Sequence, residues 1–206
     1  MTQVTLNQNP LKNSVTQDQS LDELVSFIFD KEVSKENILV SINLDGEIIP
    51  FEDGLKVATA KVSSFKEIDF EIKSSVELAY EALDSCNDYI DLLVKKIKFL
   101  TDCYNKNELD QANHQFTEVI DILDLYTQLF ARIHSTLKRN FSGSFTISED
   151  IQKLDIHLLS ILKALIPAKE KGDIIMLCDL LEYELIDNLT QWKIKIVPAL
   201  KKMKGN

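Results

Sequence analysis

Residues 38–49 read ILVSINLDGEII, and this stretch predicts a β-hairpin. Residues 38–44 are a β-branched, alternating run of the kind that forms a half-buried strand. Asp45-Gly46 supplies the dipeptide that a two-residue hairpin turn prefers, because glycine tolerates positive φ angles. We therefore expect residues 38–44 to pair antiparallel with residues 47–49.

The segments around this hairpin predict a small α+β domain over residues 1–73. Residues 4–6 and residues 68–72 (IDFEI) alternate as short strands do. Ser20-Leu21-Asp22-Glu23 has the pattern of a capping box, with a hydroxyl at the N-cap and a carboxylate three residues later. Apolar residues then recur at helical spacing and predict a helix over about residues 21–33, namely Leu21, Leu24, Val25, Ile28 and Phe29.

The order of strand, helix, hairpin and strand resembles the ubiquitin-like β-grasp fold. ILVSINLDGEII followed by SSFKEIDFEI (residues 63–72) looks like the last strands of the bacterial sulfur-carrier branch of that fold. The resemblance covers the first third of the chain. Sulfur carriers act through a C-terminal Gly-Gly tail, whereas here the last strand runs into Lys73-Ser74-Ser75 and more than a hundred further residues. The resemblance therefore implies a scaffold or docking module and not a carrier.

Heptad spacing predicts an antiparallel four-helix bundle over residues 74–206. Apolar residues separated alternately by three and four positions run through residues 76–100, 109–137 and 151–168, and a less regular set runs through residues 178–200. Breaks at residues 105–107, 141–144 and 171–173 separate the helices, and such short connections make neighbouring helices antiparallel. Pro198 is expected to kink or end the last helix, because proline lacks the backbone donor.

The composition argues against several classes of protein. The 206 residues include 23 Lys and Arg against 33 Asp and Glu, a net charge of −10, which argues against binding to nucleic acid or to anionic membranes. Cys86, Cys103 and Cys178 form no C-x-x-C pair, and the first residues lack the basic start and apolar run of a secretory signal. No stretch approaches 18 consecutive apolar residues. We therefore expect a soluble cytoplasmic protein with no membrane span.

The sequence contains no catalytic motif of the Gly-x-Ser-x-Gly, P-loop or dinucleotide-binding type. We expect no enzymatic activity, no cofactor and no metal ion. Two alternatives stay open. One is a small-ligand sensor with a pocket between the two halves near Trp192. The other is a metal-dependent bundle enzyme whose ligands come from His114, Glu118, His157, Asp179 and Glu182.

The second and fourth helices of the predicted bundle, over residues 109–137 and about 173–202, carry more large apolar residues than one buried stripe needs. A helix that is apolar over most of its circumference must bury a second face, under another unit or against another chain. We therefore expect a non-enzymatic interaction protein, an adaptor or chaperone-like factor, that forms a homodimer or binds a protein partner. The expected contact residues are Ile122, Leu125, Leu129, Met176, Leu180, Tyr183, Ile186 and Leu189. Glu184 and Asn188 lie at or near the inner stripe, where a polar residue is expected to specify register or a partner interface.

Overall fold

The computed structural model describes residues 2–11, 15–31, 33–34, 36–51, 57–141 and 148–205. The chain divides into two compact units, Met1–Leu78 and Ala79–Asn206. The described part of the first unit carries a mixed five-stranded sheet, and the described part of the second unit is helical. The predicted α+β class is therefore confirmed.

The first unit contains the predicted order of strand, helix, hairpin and strand. Its strands are β1 (Gln3–Leu6), β2 (Asn9–Pro10), β3 (Asn37–Leu44), β4 (Glu47–Pro50) and β5 (Glu67–Ser74), and its helix is α1 (Leu21–Lys31). The sheet has the order β2-β1-β5-β3-β4, with β1 parallel to β5 and the other neighbours antiparallel. This arrangement is compatible with the β-grasp resemblance. The two-residue strand β2 was not predicted, since two residues carry no alternation.

The predicted hairpin turn is confirmed. Asp45 and Gly46 both have positive φ angles, 52° and 95°, which is the conformation of a type I′ turn. The Asn43 side chain accepts a hydrogen bond of 2.8 Å from the Gly46 backbone amide. The Asp45 carboxylate accepts hydrogen bonds of 2.8 Å from the backbone amides of Lys66 and Glu67, so the turn is tied to the start of β5.

Helix α1 begins at the predicted capping box. The Ser20 backbone amide donates to the Glu23 carboxylate at 2.9 Å, and the Glu23 amide donates to the Ser20 hydroxyl at 3.2 Å. Three residues of α1 are buried against the sheet and form one hydrophobic core with apolar residues of β1, β3 and β5. This core includes Leu21, Leu24, Ile28, Leu39, Ile42, Ile68 and Phe70.

The second unit contains the predicted helices, the first of which begins four residues before the boundary between the units. They are α2 (Ser75–Asn105), α3 (Leu109–Asn140), α4 (Ser148–Lys171) and a long helix, α5, over residues 174–202. Helices α2 and α5 run antiparallel, because Asp84 near the start of α2 pairs with Lys201 at 2.9 Å and Asp91 pairs with Lys193 at 2.5 Å. The number of helices in the bundle stays a prediction.

Helix α5 alternates between α-helical and π-helical segments. The α-helical segments are Ile174–Asp179, Ile186–Gln191 and Val197–Lys202, and the π-helical segments are Leu180–Leu185 and Trp192–Ile196. Directly after the two π-helical segments, the amides of Ile186 and Val197 donate to carbonyls five residues earlier and so close the wide turns. Of the two outcomes expected for Pro198, the end of the helix is wrong, and a kink stays a prediction. Pro198 lies in the first turn of the last α-helical segment, where a missing amide donor is tolerated, and the helix continues to Lys202.

Candidate interaction surfaces and a cleft beside Trp192

An apolar groove runs along the outer side of α2 and α3. It is lined by Tyr89, Leu92, Ile122, Leu125, Tyr126 and Leu129, and it has a volume of about 260 Å³. Leu125 is 66% exposed, and Tyr89 and Leu92 are also exposed. We call these residues the α2–α3 groove. Three of the predicted contact residues, Ile122, Leu125 and Leu129, lie in it.

A second apolar surface lies on the exposed side of α5. Met176, Leu180 and Tyr183 lie together around an open depression, and Tyr183 is 69% exposed. Ile186, one turn further on, is half-buried. We call Met176, Leu180, Tyr183 and Ile186 the α5 face.

Leu189 is not a surface residue, so its predicted role as a contact residue is wrong. Its side chain is 0% exposed. The buried stripe of α5 advances by four residues at a time through Leu177, Leu181, Leu185 and Leu189. The prediction assumed heptad spacing for α5, and heptad spacing leaves Leu189 outside the stripe.

The inner side of α5 carries a polar network centred on Asn188, which is 0% exposed. The Asn188 carbonyl oxygen accepts a hydrogen bond of 3.2 Å from Trp192 Nε1. Its amide nitrogen donates to the Leu154 carbonyl at 3.0 Å and lies 3.2 Å from His157 Nδ1. His157 Nε2 lies 3.1 Å from the carboxylate of Glu184.

This network assigns the His157 tautomer. Because the amide of Asn188 only donates, Nδ1 must accept, and the proton of the neutral ring is on Nε2. That proton is donated to Glu184, which is exposed. Of the two polar residues placed near the inner stripe, Asn188 therefore points inward and Glu184 does not.

The five residues of the metal-enzyme alternative are not brought together. His114 Nδ1 lies 3.6 Å from a Glu118 oxygen on α3. Glu182 accepts a hydrogen bond from a buried threonine of α2, His157 belongs to the network on α4 and α5, and Asp179 is exposed. Within the described ranges there is no group of three His, Cys, Asp or Glu side chains placed to hold a metal ion. The geometry gives this alternative no ligand set.

A cleft with a volume of about 130 Å³ lies beside Trp192, within the helical unit. Its inner wall contains Tyr126, Phe130, Leu158 and Trp192, and Asp155 and His134 lie toward the surface. The Phe130 and Trp192 rings meet edge to face, with their centroids 4.3 Å apart. We call this space the Trp192 cleft. The sensor alternative placed a pocket between the two halves near Trp192, whereas this cleft is formed by helices α3, α4 and α5 alone.

Burial shifts the pKa values of three side chains that line the Trp192 cleft. It raises the pKa of the Tyr126 phenol, and the nearby Cys86 and Asp155 add to that effect. It also raises the pKa of the Asp155 carboxyl, while the charge of His134 acts in the opposite direction. Burial and the positive charge of Lys138 lower the pKa of His134, so its ring is predominantly neutral at pH 7.

Tyr126 lies in the heptad run of residues 109–137, where a core position is expected, and Asp155 lies among the polar positions of the run over residues 151–168. One feature of the sequence indicates a polar group near Tyr126. A tyrosine in a buried heptad position needs a hydrogen-bond partner for its hydroxyl, and the sequence offers Tyr126 none on its own helix face. His134 on α3 and Asp155 on α4 both line the cleft because of how these two helices are aligned. The spacing of residues within one helix does not predict that alignment.

The fold and these surfaces define an α+β protein whose helical unit exposes apolar faces beyond its core. The chain belongs to the family described as Domain of unknown function (DUF8042), whose model matches residues 81–195, most of the helical unit. No match was found among curated proteins or among solved structures. None of the helices in the described ranges is long and apolar enough to cross a membrane.

Proposed function

We propose that this chain is a non-enzymatic interaction protein, adaptor-like or chaperone-like, which forms a homodimer through the α2–α3 groove. The observation that carries the proposal is the exposure of apolar side chains along that groove. Leu125 at 66%, Tyr89 at 44% and Leu92 at 42% are large side chains left in contact with water on neighbouring helices. Contiguous exposed apolar surface of this kind is characteristic of a protein interface.

The spacing of the exposed residues supports a helical partner surface. Ile122, Leu125 and Leu129 follow each other at intervals of three and four, and Tyr89 and Leu92 are three apart. This is the spacing by which helices pack side by side, with each side chain inserted between those of the facing helix. The groove thus offers a second apolar surface for helix packing, in addition to the one already buried within the unit. A helix of another chain can pack against it.

A second copy of the chain fits this groove, because every copy carries the same pair of helix faces. In a symmetric dimer one patch contacts itself, so each groove residue is buried twice. Fully burying a leucine contributes about 1.5–3 kcal/mol and Leu125 is 66% exposed, so burying the exposed part of its two copies contributes about 2–4 kcal/mol. The three free cysteines, of which Cys86 and Cys103 are buried, support placing this dimer in the reducing cytoplasm.

Sedimentation velocity of the full chain over a range of concentrations tests the proposal. We expect the wild-type chain to sediment as a dimer and Leu125→Glu to sediment as a monomer, because burying the negative charge of the glutamate in the dimer interface is unfavourable. Ile194→Glu is the matched control: Ile194 is 58% exposed on α5 and does not line the groove, so this variant should stay dimeric. Circular dichroism should show the same helix content in all three proteins.

Two results contradict the proposal. A wild-type chain that remains monomeric up to about 100 μM excludes a stable homodimer at this groove. If the wild-type chain is dimeric and Leu125→Glu leaves it dimeric, the dimer uses another surface. In that case Tyr183→Glu tests the α5 face in the same assay.

A further inference from the structure

The Trp192 cleft lacks a partner for a buried polar group. Tyr126 is 3% exposed, and its hydroxyl has no hydrogen-bond partner among the residues that the structure describes. Leaving a buried hydroxyl unpaired costs about 1–3 kcal/mol, so native structures normally supply a partner. Tyr126 lines both this cleft and the α2–α3 groove, and of the two spaces only the cleft also contains a carboxylate. A molecule in the cleft is therefore placed to supply the missing hydrogen bond.

The cleft combines aromatic rings with a carboxylate. Tyr126, Phe130 and Trp192 contribute their rings to its wall, and Asp155 lies where the cleft opens to the surface. The faces of aromatic rings attract cations, and a carboxylate accepts hydrogen bonds from an ammonium group. His134, on the same side as Asp155, is predominantly neutral at pH 7 because burial and Lys138 lower its pKa.

The volume of the cleft limits the size of its ligand. A cavity of about 150 Å³ holds one benzene molecule, so the 130 Å³ found here accommodates about half a dozen non-hydrogen atoms. An amino acid side chain fragment or a short amine has this size, whereas a nucleotide or a coenzyme is several times larger.

We infer that the Trp192 cleft binds a compact primary alkylammonium ion. The ammonium group donates hydrogen bonds to the Asp155 carboxylate and to the Tyr126 hydroxyl oxygen, and the short alkyl chain lies against the rings of Phe130 and Trp192. The Trp192 cleft shares Tyr126 with the α2–α3 groove but none of its other lining residues, and the ammonium titration gives its result whether or not the groove forms a dimer.

The position of Trp192 in the cleft provides the assay. The chain has one tryptophan, so all indole fluorescence comes from this site. The full-length chain is titrated with n-propylammonium and n-butylammonium chloride at constant ionic strength, and with n-butanol and butyrate as neutral and anionic molecules of similar size. Isothermal titration calorimetry provides a second readout. We expect a saturable response to the two ammonium salts and binding at least about tenfold weaker for n-butanol, because the ion contributes charge-assisted hydrogen bonds.

Two variants test whether n-butylammonium binds in the Trp192 cleft. Asp155→Asn should weaken the binding of n-butylammonium at least about tenfold, because the amide keeps the shape of the side chain and removes its charge. Tyr126→Phe should weaken it several-fold while the ring stays in place. Asp150→Asn is the matched control: Asp150 is an exposed acid near the start of the same helix, its substitution removes the same charge, and binding should be unchanged. Thermal unfolding by circular dichroism checks that each variant is folded.

The inference is overturned by any of three results. They are the absence of a saturable response to both ammonium salts, equal binding of n-butanol and n-butylammonium, and equal weakening by Asp155→Asn and Asp150→Asn. Equal binding of n-butanol would make the cleft an apolar cavity without selectivity for charge.

Discussion

Replacing Asn188 with alanine is expected to destabilise the helical unit by about 2–4 kcal/mol. Asn188 is 0% exposed and makes three hydrogen bonds, of which those with the Leu154 carbonyl and the Trp192 indole are the buried ones; the third goes to His157, whose side chain is 39% exposed. Loss of its bond to the Leu154 carbonyl costs about 1 kcal/mol. Loss of its carbonyl oxygen leaves the Trp192 indole N–H, in a side chain that is 2% exposed, without an acceptor, and an orphaned buried donor costs about 1–3 kcal/mol.

Urea unfolding monitored by Trp192 fluorescence measures this loss, because the single tryptophan reports on the helical unit and not on the sheet unit. Circular dichroism at 222 nm provides the second probe. Asp187→Ala, an exposed neighbour on the same helix, is the control and should change the free energy of unfolding by less than about 0.5 kcal/mol.

A double-mutant cycle separates the hydrogen bond from the packing. Trp192→Phe removes the indole donor, so Asn188→Ala should cost about 1–2 kcal/mol less in that background than in the wild-type chain, as measured by circular dichroism. The reasoning is refuted if Asn188→Ala costs less than about 0.5 kcal/mol, or if the two substitutions are simply additive.

Three further predictions concern the helix end after α4, an ion pair and the cysteines. Gly172 has a φ angle of +66° and open space where a Cβ would lie, so Gly172→Ala should cost about 1 kcal/mol in thermal unfolding from backbone strain alone, and Gly172→Asn should cost less. The hydrogen bond and charge of Lys201 lower the pKa of Asp84 below its ordinary value of 3.8, so this pair stabilises the fold above pH 3.8 and loses that effect as the pH falls through the lowered pKa. An NMR titration of the Asp84 carboxyl should show its pKa rising in Lys201→Met, and an unchanged pKa contradicts the assignment. Burial raises the pKa of Cys86 to about 11, whereas Cys178 is only half-buried, so a thiol reagent at pH 8 should label Cys178 first by mass spectrometry. Faster labelling of Cys86 contradicts this order.

The parts of the fold that were predictable depend on neighbours in sequence. The type I′ turn at Asp45-Gly46 and the capping box of Ser20 and Glu23 follow from the chemistry of two to four consecutive residues. A second capping box, Ser74 with Glu77 at the start of α2, has the same signature, and its N-cap residue is also the last residue of strand β5.

The regular stripes of α2 and α3 were predictable for a related reason. Spacing by three and four residues places apolar side chains on one face of a helix, and all but the first of the predicted α2 positions are buried. The Trp192 cleft was not predictable in this way. Tyr126, Asp155 and Trp192 come from three helices, and their meeting depends on the register in which those helices pack.

The buried residues of helix α5 do not follow heptad spacing, and the geometry of the helix explains why. An α-helix turns by about 100° per residue, so the twelve residues from Leu177 to Leu189 turn it by about 120° beyond three full turns. In a regular α-helix Leu189 would therefore point about a third of a turn away from Leu177, yet both side chains are buried. The π-helical segment Leu180–Leu185 lies between them, and its wider turn removes part of this rotation. Asn188, eleven residues after Leu177, lies only about 20° from it even in a regular α-helix, and there it accepts the hydrogen bond of the Trp192 indole. The irregular hydrogen bonding of α5 is thus needed to bury Leu189, whereas the inward position of Asn188 follows from helical spacing alone.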